Sequence, residues 1–269
     1  MIKDAVLRDT LSEEGIHRYI KTEGLRLQVV PVITSTNTVL KRMAEEGAEE
    51  GLCLIAEEQT AGKGRMGRSF YSPAGSGLYL SVLLRPKLSA ADAVNITACA
   101  AVAVAEAVES LAPVQARIKW VNDVYVGGRK VCGILTEASL DSATAAVNYL
   151  VVGIGVNTRP PEGGFPEELQ ETAGDAFGEA SIPELRCRLA AAVLDRLLGY
   201  YEHLQERPWL EEYRKRSLVT GKEICILMPG KEPENGTAVG IADDCSLLVR
   251  MEDGSLRRLN SGEVSIRVS

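Results

Sequence analysis

Two short stretches of this chain combine residue types that handle phosphate and carboxylate groups. The first, Gly62-Lys63-Gly64-Arg65-Met66-Gly67-Arg68, alternates glycine with cations. Glycine lets a backbone approach a ligand closely and aim its N–H groups at anionic oxygens. Arginine adds a planar pair of donors suited to phosphate or carboxylate. The stretch lies in a 33-residue window, Gln59 to Ala91, that carries Lys63, Arg65, Arg68, Arg85 and Lys87 and no acid. Overall, 37 acids outweigh 30 lysines and arginines to a net charge of −7. Against that background the window predicts a loop that closes over a polyanionic small molecule; a solvated basic loop is the plainer alternative. A P-loop is excluded because Lys63 is followed by Gly64, not Ser or Thr. Gly62-x-Gly64-x-x-Gly67 has dinucleotide-fingerprint spacing, but Ser72-Pro73 and a strand follow it where a helix is needed.

The second stretch is Arg117-Ile118-Lys119-Trp120-Val121-Asn122-Asp123. Strand alternation puts Ile118 and Trp120 on one face and Arg117 and Lys119 on the other. Lys119 is then either a solvated strand lysine or a fixed ammonium beside Asn122 and Asp123, able to bridge a carboxylate and a phosphate as charge develops.

The surrounding elements are readable from patterning. Leu27 to Ile33 predicts a strand, Ser35-Thr36-Asn37-Thr38 the cap of an amphipathic helix, and Gly51 to Glu57 and Leu78 to Leu84 two more strands. Ser89 to Leu111 predicts a buried helix ended by Pro113. Val124 to Val126 and Lys130 to Glu137 flank a Gly127-Gly128 hairpin turn. Val147 to Val156 is a further strand, and Glu184 to Glu206 and Trp209 to Arg216 are helical. From Thr220 the texture changes to short strands with turns at Pro229-Gly230, Asn235-Gly236 and Asp253-Gly254. The expected class is α+β, a mixed-sheet domain over residues 1–218 followed by a small β module over 219–269. Regular βαβ alternation is missing.

In combination these motifs resemble the biotin protein ligases. Five blocks carry the resemblance in the family's order: Ser35-Thr36-Asn37; Glu58-Gln59-Thr60-Ala61-Gly62 continuing through Arg68; Gly77-Leu78-Tyr79-Leu80-Ser81; Lys119-Trp120-Val121-Asn122-Asp123; and Gly153-Ile154-Gly155-Val156-Asn157. Gly133-Ile134-Leu135-Thr136-Glu137 fits as well. The resemblance runs from about Leu27 to the C-terminus. It implies a class II synthetase-like, lipoate-ligase-like catalytic domain and an SH3-like β-barrel. It also implies two steps, ATP-dependent formation of biotinyl-5′-AMP with Mg²⁺ assisting, then transfer to a lysine of a biotin carboxyl carrier domain. By the same resemblance Ser35, Thr36, Asn37 and Gln59 bind the biotin head, and Lys63, Gly64 and Arg65 clamp its carboxylate and the phosphates. Lys119 and Arg65 are the catalytic candidates. Arg68, Phe70, Asn122 and Asn157 face the adenylate, with Phe70 stacking on adenine. Two positions depart from the family pattern, Lys63 for the usual arginine and Val121 for the usual proline. A lipoate or octanoate ligase and a non-catalytic biotin or nucleotide sensor are the competing readings.

Composition and context bound the rest. Six cysteines without a C-x-x-C pair, and two histidines apart from them, argue against a zinc site and predict buried free thiols. No signal segment opens the sequence and no apolar run is long enough to span a membrane, so a cytoplasmic enzyme is expected. The acidic balance disfavours nucleic acid, and the 34 residues before Ser35 are too few for a helix-turn-helix module, so no DNA binding is expected. The family resemblance also implies homodimers by sheet extension.

Overall fold

The computed structural model describes residues 9–87, 93–141, 143–144, 146–228, 230, 232–260 and 262–266. In chain order the first unit contains α1 (Glu13–His17), β1 (Arg26–Ile33), α2 (Thr36–Glu45), β2 (Leu52–Gln59) and β3 (Gly77–Leu84). There follow α3 (Ala93–Leu111), β4 (Ala116–Lys119), β5 (Asp123–Val126), β6 (Arg129–Leu140), β7 (Val147–Asn157), α4 (Leu185–Glu202) and α5 (Leu210–Lys215). The strands form one seven-stranded sheet in the order β1-β2-β3-β7-β6-β5-β4. Only β1 and β2 run parallel, joined by the crossover helix α2, and every other pairing is antiparallel. The α+β class with a mixed sheet is therefore borne out.

The two faces of the sheet are used differently. Alternate residues of β3 and β7, Leu78, Leu80 and Val82 with Leu150, Val152 and Ile154, join the main core beneath α3 and α4. α3 is apolar nearly all round because it is packed on the sheet on one side and on α4 on the other. On the opposite face, Leu83 and Val151 meet Leu40 and Ala44 of α2 in a smaller cluster. α2 covers only part of this face, and the remainder, around Gly153 and Gly155, holds the site described below.

A second sheet of five antiparallel strands follows: β8 (Glu223–Leu227), β9 (Glu234–Ile241), β10 (Leu247–Met251), β11 (Leu256–Leu259) and β12 (Glu263–Ile266). Its order is β11-β10-β9-β8-β12, which shows the expected small β domain; among the described residues no pairing joins β11 to β12. One turn expectation is corrected. Asn235 and Gly236 lie within β9, paired with Cys225 and Ile224. A Cβ on Gly236 would stand 2.6 Å from Val249 Cγ1 and 2.7 Å from the Arg250 carbonyl, so glycine serves close strand packing there and not a turn. Pro229 and the segment from Ser89 to Asp92 lie outside the described residues.

Cys53, Cys99, Cys132, Cys187 and Cys245 are buried free thiols, as expected, and burial pushes the Cys53 thiol up to about 12. Among the described residues no helix is long and apolar enough to cross a membrane.

Candidate active site

The site begins where β1 ends. Ser35 is extended (φ −159°) and caps α2, its hydroxyl accepting from the Thr38 N–H at 3.4 Å. This cap turns Thr36 and Asn37 toward the sheet, where both are 4% exposed. At the end of the neighbouring β2, Gln59 Oε1 accepts from the Thr36 N–H at 2.9 Å and lies 3.1 Å from Thr36 Oγ1. Gln59 Nε2 donates to Ser72 Oγ at 2.9 Å, and Ser72 in turn donates to the Phe70 carbonyl at 3.0 Å.

Asn37 lies across three strands. Its Nδ2 donates to the Leu135 carbonyl at 3.2 Å and to Glu137 Oε2 at 3.0 Å, while its Oδ1 accepts from Ser81 at 2.7 Å. Ser81, Gly153 and Leu135 are register partners across β3, β7 and β6. The amide fits only because the middle position is glycine: a Cβ at Gly153 would lie 2.1 Å from Asn37 Oδ1. Beside Asn37, Lys41 Nζ stands 2.9 Å from Glu137 Oε1. Burial would raise the Glu137 carboxyl, but the Lys41 and Asn37 hydrogen bonds and the charges of Lys41 and Lys63 hold it below the usual value.

The glycine–cation stretch forms a narrow loop. The Phe70 N–H donates to the Gly62 carbonyl at 2.9 Å and the Gly64 N–H to the Arg68 carbonyl at 2.7 Å, with a 3₁₀ turn at Arg65–Gly67 between them. The Phe70 ring returns against β7, where a Cβ on Gly155 would sit 2.6 Å from it. Gly153 and Gly155, two residues apart on one strand face, thus make room for Asn37 and Phe70 respectively. Arg65 reaches in two directions: Nη1 donates to Asn122 Oδ1 at 2.9 Å and Nη2 to the Gly262 carbonyl, next to β12, at 3.2 Å.

The Lys119–Asp123 segment obeys the predicted alternation, with Ile118 and Trp120 buried and Arg117 exposed. The Trp120–Val121 peptide is cis. Trp120 Nε1 donates to the Cys245 carbonyl of the small β domain at 2.8 Å, and the Tyr213 hydroxyl donates to the Val121 carbonyl at 3.0 Å. Asn122 Nδ2 donates to the Ile134 carbonyl at 3.0 Å, which aims its Oδ1 at Arg65. The Lys119 side chain has no hydrogen bond or ion pair among the described residues and faces the cavity.

These groups line one cavity of about 120 Å³. Ser35, Thr36, Asn37 and Gln59 are in its wall, as are Lys63, Gly64, Arg65, Arg68, Phe70, Lys119 and Asn122. Five cations line it, Lys63, Arg65, Arg68, Lys119 and Lys130, against one carboxylate, Asp123, itself 2.7 Å from Lys130 Nζ. Such a lining draws an anionic ligand into a protein of net charge −7. Asn157 is placed outside this lining, and its Nδ2 donates to the Gly174 carbonyl at 3.0 Å. Sequence reasoning did not single out Lys130 or Val264, and it gave Ser81 no role of its own. Ser81 alone had a signal, a polar residue inside an otherwise apolar strand.

Comparison with known proteins agrees in kind. The biotin/lipoate A/B protein ligase family matches residues 29–157, and the biotin protein ligase C-terminal domain matches residues 219–267. The bifunctional ligase/repressor BirA of Bacillus spizizenii is 39% identical over 95% of this chain and 79% of its own length. A biotin–[acetyl-CoA-carboxylase] ligase of Mycobacterium tuberculosis is 32% identical over 88% of this chain and 89% of its own. Among solved structures, the biotin protein ligase of Aquifex aeolicus in complex with biotin and ATP superposes with a TM-score of 0.70, at 29% identity, over 91% of this chain and 99% of that one.

Proposed function

Because the chain belongs to the biotin protein ligase family, we propose how its own residues carry that family's two steps. The protein is an ATP-dependent biotin ligase that forms biotinyl-5′-AMP and transfers biotin to a lysine of a carboxylase carrier domain. The carrying observation is one cavity that joins a neutral, hydrogen-bonding end at Ser35, Thr36, Asn37 and Gln59 to a cationic end at Lys63, Arg65 and Lys119. Biotin has that polarity, a ureido head and a carboxylate tail.

In the first step a biotin carboxylate oxygen bonds to the α-phosphorus of ATP, and the bond to the bridging oxygen breaks to release pyrophosphate. Two anions must approach each other, so fixed cations are the main requirement. Arg65, already oriented by Asn122 and Gly262, and Lys119 are the groups assigned to offset that repulsion. Lys63 and Arg68 add charge at the loop, Phe70 offers a face to the adenine, and Asn122 belongs to the adenylate end. Asn157, outside the lining and bonded to Gly174, is assigned there only as a residue that would turn from Gly174 to the bound adenylate. In the second step the carrier lysine's neutral ε-amine attacks the acyl carbon and AMP leaves. No enzyme nucleophile is needed.

Mg²⁺ is assigned as the counter-ion of the triphosphate. The described lining holds one carboxylate, Asp123, and the described residues hold no cluster of three or more acidic, histidine or cysteine ligands. That set suits an ion held by one carboxylate and substrate phosphates, where it would neutralise charge on the leaving pyrophosphate. The division near residue 218 and an SH3-like closure of the small domain belong to the same proposal. So do a cytoplasmic setting and homodimers formed by strand addition at an open edge such as β1. No DNA contact is proposed, since a net charge of −7 offers no general attraction for a phosphate backbone.

Incubation with ATP, Mg²⁺, biotin and an apo carrier domain tests the full reaction. The proposal expects one biotin added per carrier at its acceptor lysine. Lipoyl transfer in place of biotinyl transfer would favour the sister ligases, and biotin binding with no transfer would favour a sensor.

A further inference from the structure

Ser81 is the one polar residue of β3 placed deep in the sheet; its side chain is fully buried, and β3 is otherwise apolar from Leu78 to Leu84. Its Oγ lies 2.7 Å from Asn37 Oδ1 and 2.7 Å from Thr36 Oγ1, the two residues that present the neutral end of the cavity. We infer that Ser81 is a positioning residue for biotin activation, which fixes the orientation of the Asn37 amide and the direction in which the Thr36 hydroxyl points.

The protons available to these groups fix their orientations. Asn37 Nδ2 has two hydrogens, and the Leu135 carbonyl and the Glu137 carboxylate both require one. Asn37 Oδ1 must then accept, and Ser81 is the donor it meets. A serine hydroxyl has a single proton, which Ser81 shares between Asn37 Oδ1 and Thr36 Oγ1, each 2.7 Å away. The Thr36 hydroxyl, which accepts from Ser81, spends its own proton on Gln59 Oε1 at 3.1 Å. Gln59 Oε1, an amide oxygen with two lone pairs, also accepts from the Thr36 N–H at 2.9 Å. Thr36 Oγ1 consequently turns a lone pair, not a donor, toward the cavity, which is the polarity a ureido N–H requires. Strand register makes the arrangement possible. Ser81 pairs with Gly153, whose missing Cβ leaves the space through which the Asn37 side chain reaches it.

Without the Ser81 hydroxyl, Asn37 Oδ1 becomes a buried acceptor with no donor, and Thr36 Oγ1 loses the donor that fixes its orientation toward the ligand. The cost falls on the biotin end and not on the phosphate end, because neither Lys63, Arg65 nor Lys119 touches this chain of hydroxyls. The inference rests on the biotin-ligase reading above.

The test is steady-state biotin-dependent ATP–pyrophosphate exchange with the full chain as wild type, Ser81→Ala, Asn37→Ala and the double variant. Ser81→Ala is expected to raise the KM for biotin at least tenfold while the KM for ATP stays within twofold. In the Asn37→Ala background, Ser81→Ala is expected to add less than a further twofold, because most of what Ser81 positions is already gone. An unchanged biotin KM in Ser81→Ala would overturn the inference. So would equal increases in both KM values, or multiplicative effects in the double variant. If the wild type shows no biotin-dependent exchange, the family reading fails and not this inference alone.

Discussion

The Cβ position of Gly153 lies 2.1 Å from Oδ1 of Asn37, so the bare backbone at Gly153 is what lets the Asn37 side chain lie across β3, β7 and β6. A methyl group there cannot coexist with the Asn37 amide in its present position, because backbone and amide are both fixed by hydrogen bonds. Gly153→Ala is predicted to raise the KM for biotin at least tenfold and to lower the unfolding midpoint, through displacement of Asn37 from Ser81, Leu135 and Glu137. Biotin titration and thermal unfolding of the variant check this. Wild-type biotin affinity would mean that Asn37 does not shape the biotin end.

Lys119→Ala is predicted to slow adenylate formation by roughly 10²- to 10³-fold, the usual effect of deleting one preorganised charge-stabilising donor. The fold should be unaffected, since the Lys119 side chain has no hydrogen bond or ion pair among the described residues and lies at the cavity edge of β4. Single-turnover formation of biotinyl-AMP measures this directly. Carrier labelling at near wild-type rate would remove Lys119 from the chemistry.

A pH prediction follows from the Lys41–Glu137–Asn37 group. The Glu137 carboxyl is held below its usual value near 4.5, so its folded form binds protons less readily than its unfolded form. Its contribution to stability is therefore fully present above that usual value and is lost as pH falls through the lower, folded one. Chemical unfolding of the wild type and Glu137→Gln between pH 3 and pH 7 should show a stability difference that shrinks on acidification. A difference independent of pH would show that the carboxylate charge is not what matters there.

Much of this arrangement was legible in the chain, and its limits have a physical cause. Glycine–cation alternation, the Ser35 cap and the Gly153/Gly155 spacing are local patterns whose chemistry is visible within a few residues, and the structure gathers them at one cavity. Contacts that depend on tertiary packing left no such trace. Arg65 meets Gly262 across a separation of 197 residues, and Trp120 meets Cys245 across 125. The small β domain carries no motif that announces Val264 in the cavity wall, and only the fold reveals it. Asn235-Gly236 has the chemistry of a turn, whereas the close approach of β10 decides its use. Asn157 follows the Gly153/Gly155 strand as the motif suggests, but its side chain is engaged by Gly174.

Trp120 ties the catalytic segment to the small domain through Nε1 and the Cys245 carbonyl. Trp120→Phe keeps most of the apolar ring but leaves that buried carbonyl without its donor, at a cost of about 1–3 kcal/mol. Urea unfolding is predicted to show this loss, accompanied by a lower kcat for adenylation, because the turn bearing Lys119 and Asn122 loses an anchor. Unchanged stability and rate would mean that the two domains support the site independently.

The most direct test is biotin-dependent exchange of labelled pyrophosphate into ATP by the wild-type chain, with no carrier present. Exchange that requires biotin, and that is absent with lipoate alone, is the predicted result. Exchange supported by lipoate and not by biotin would contradict the account.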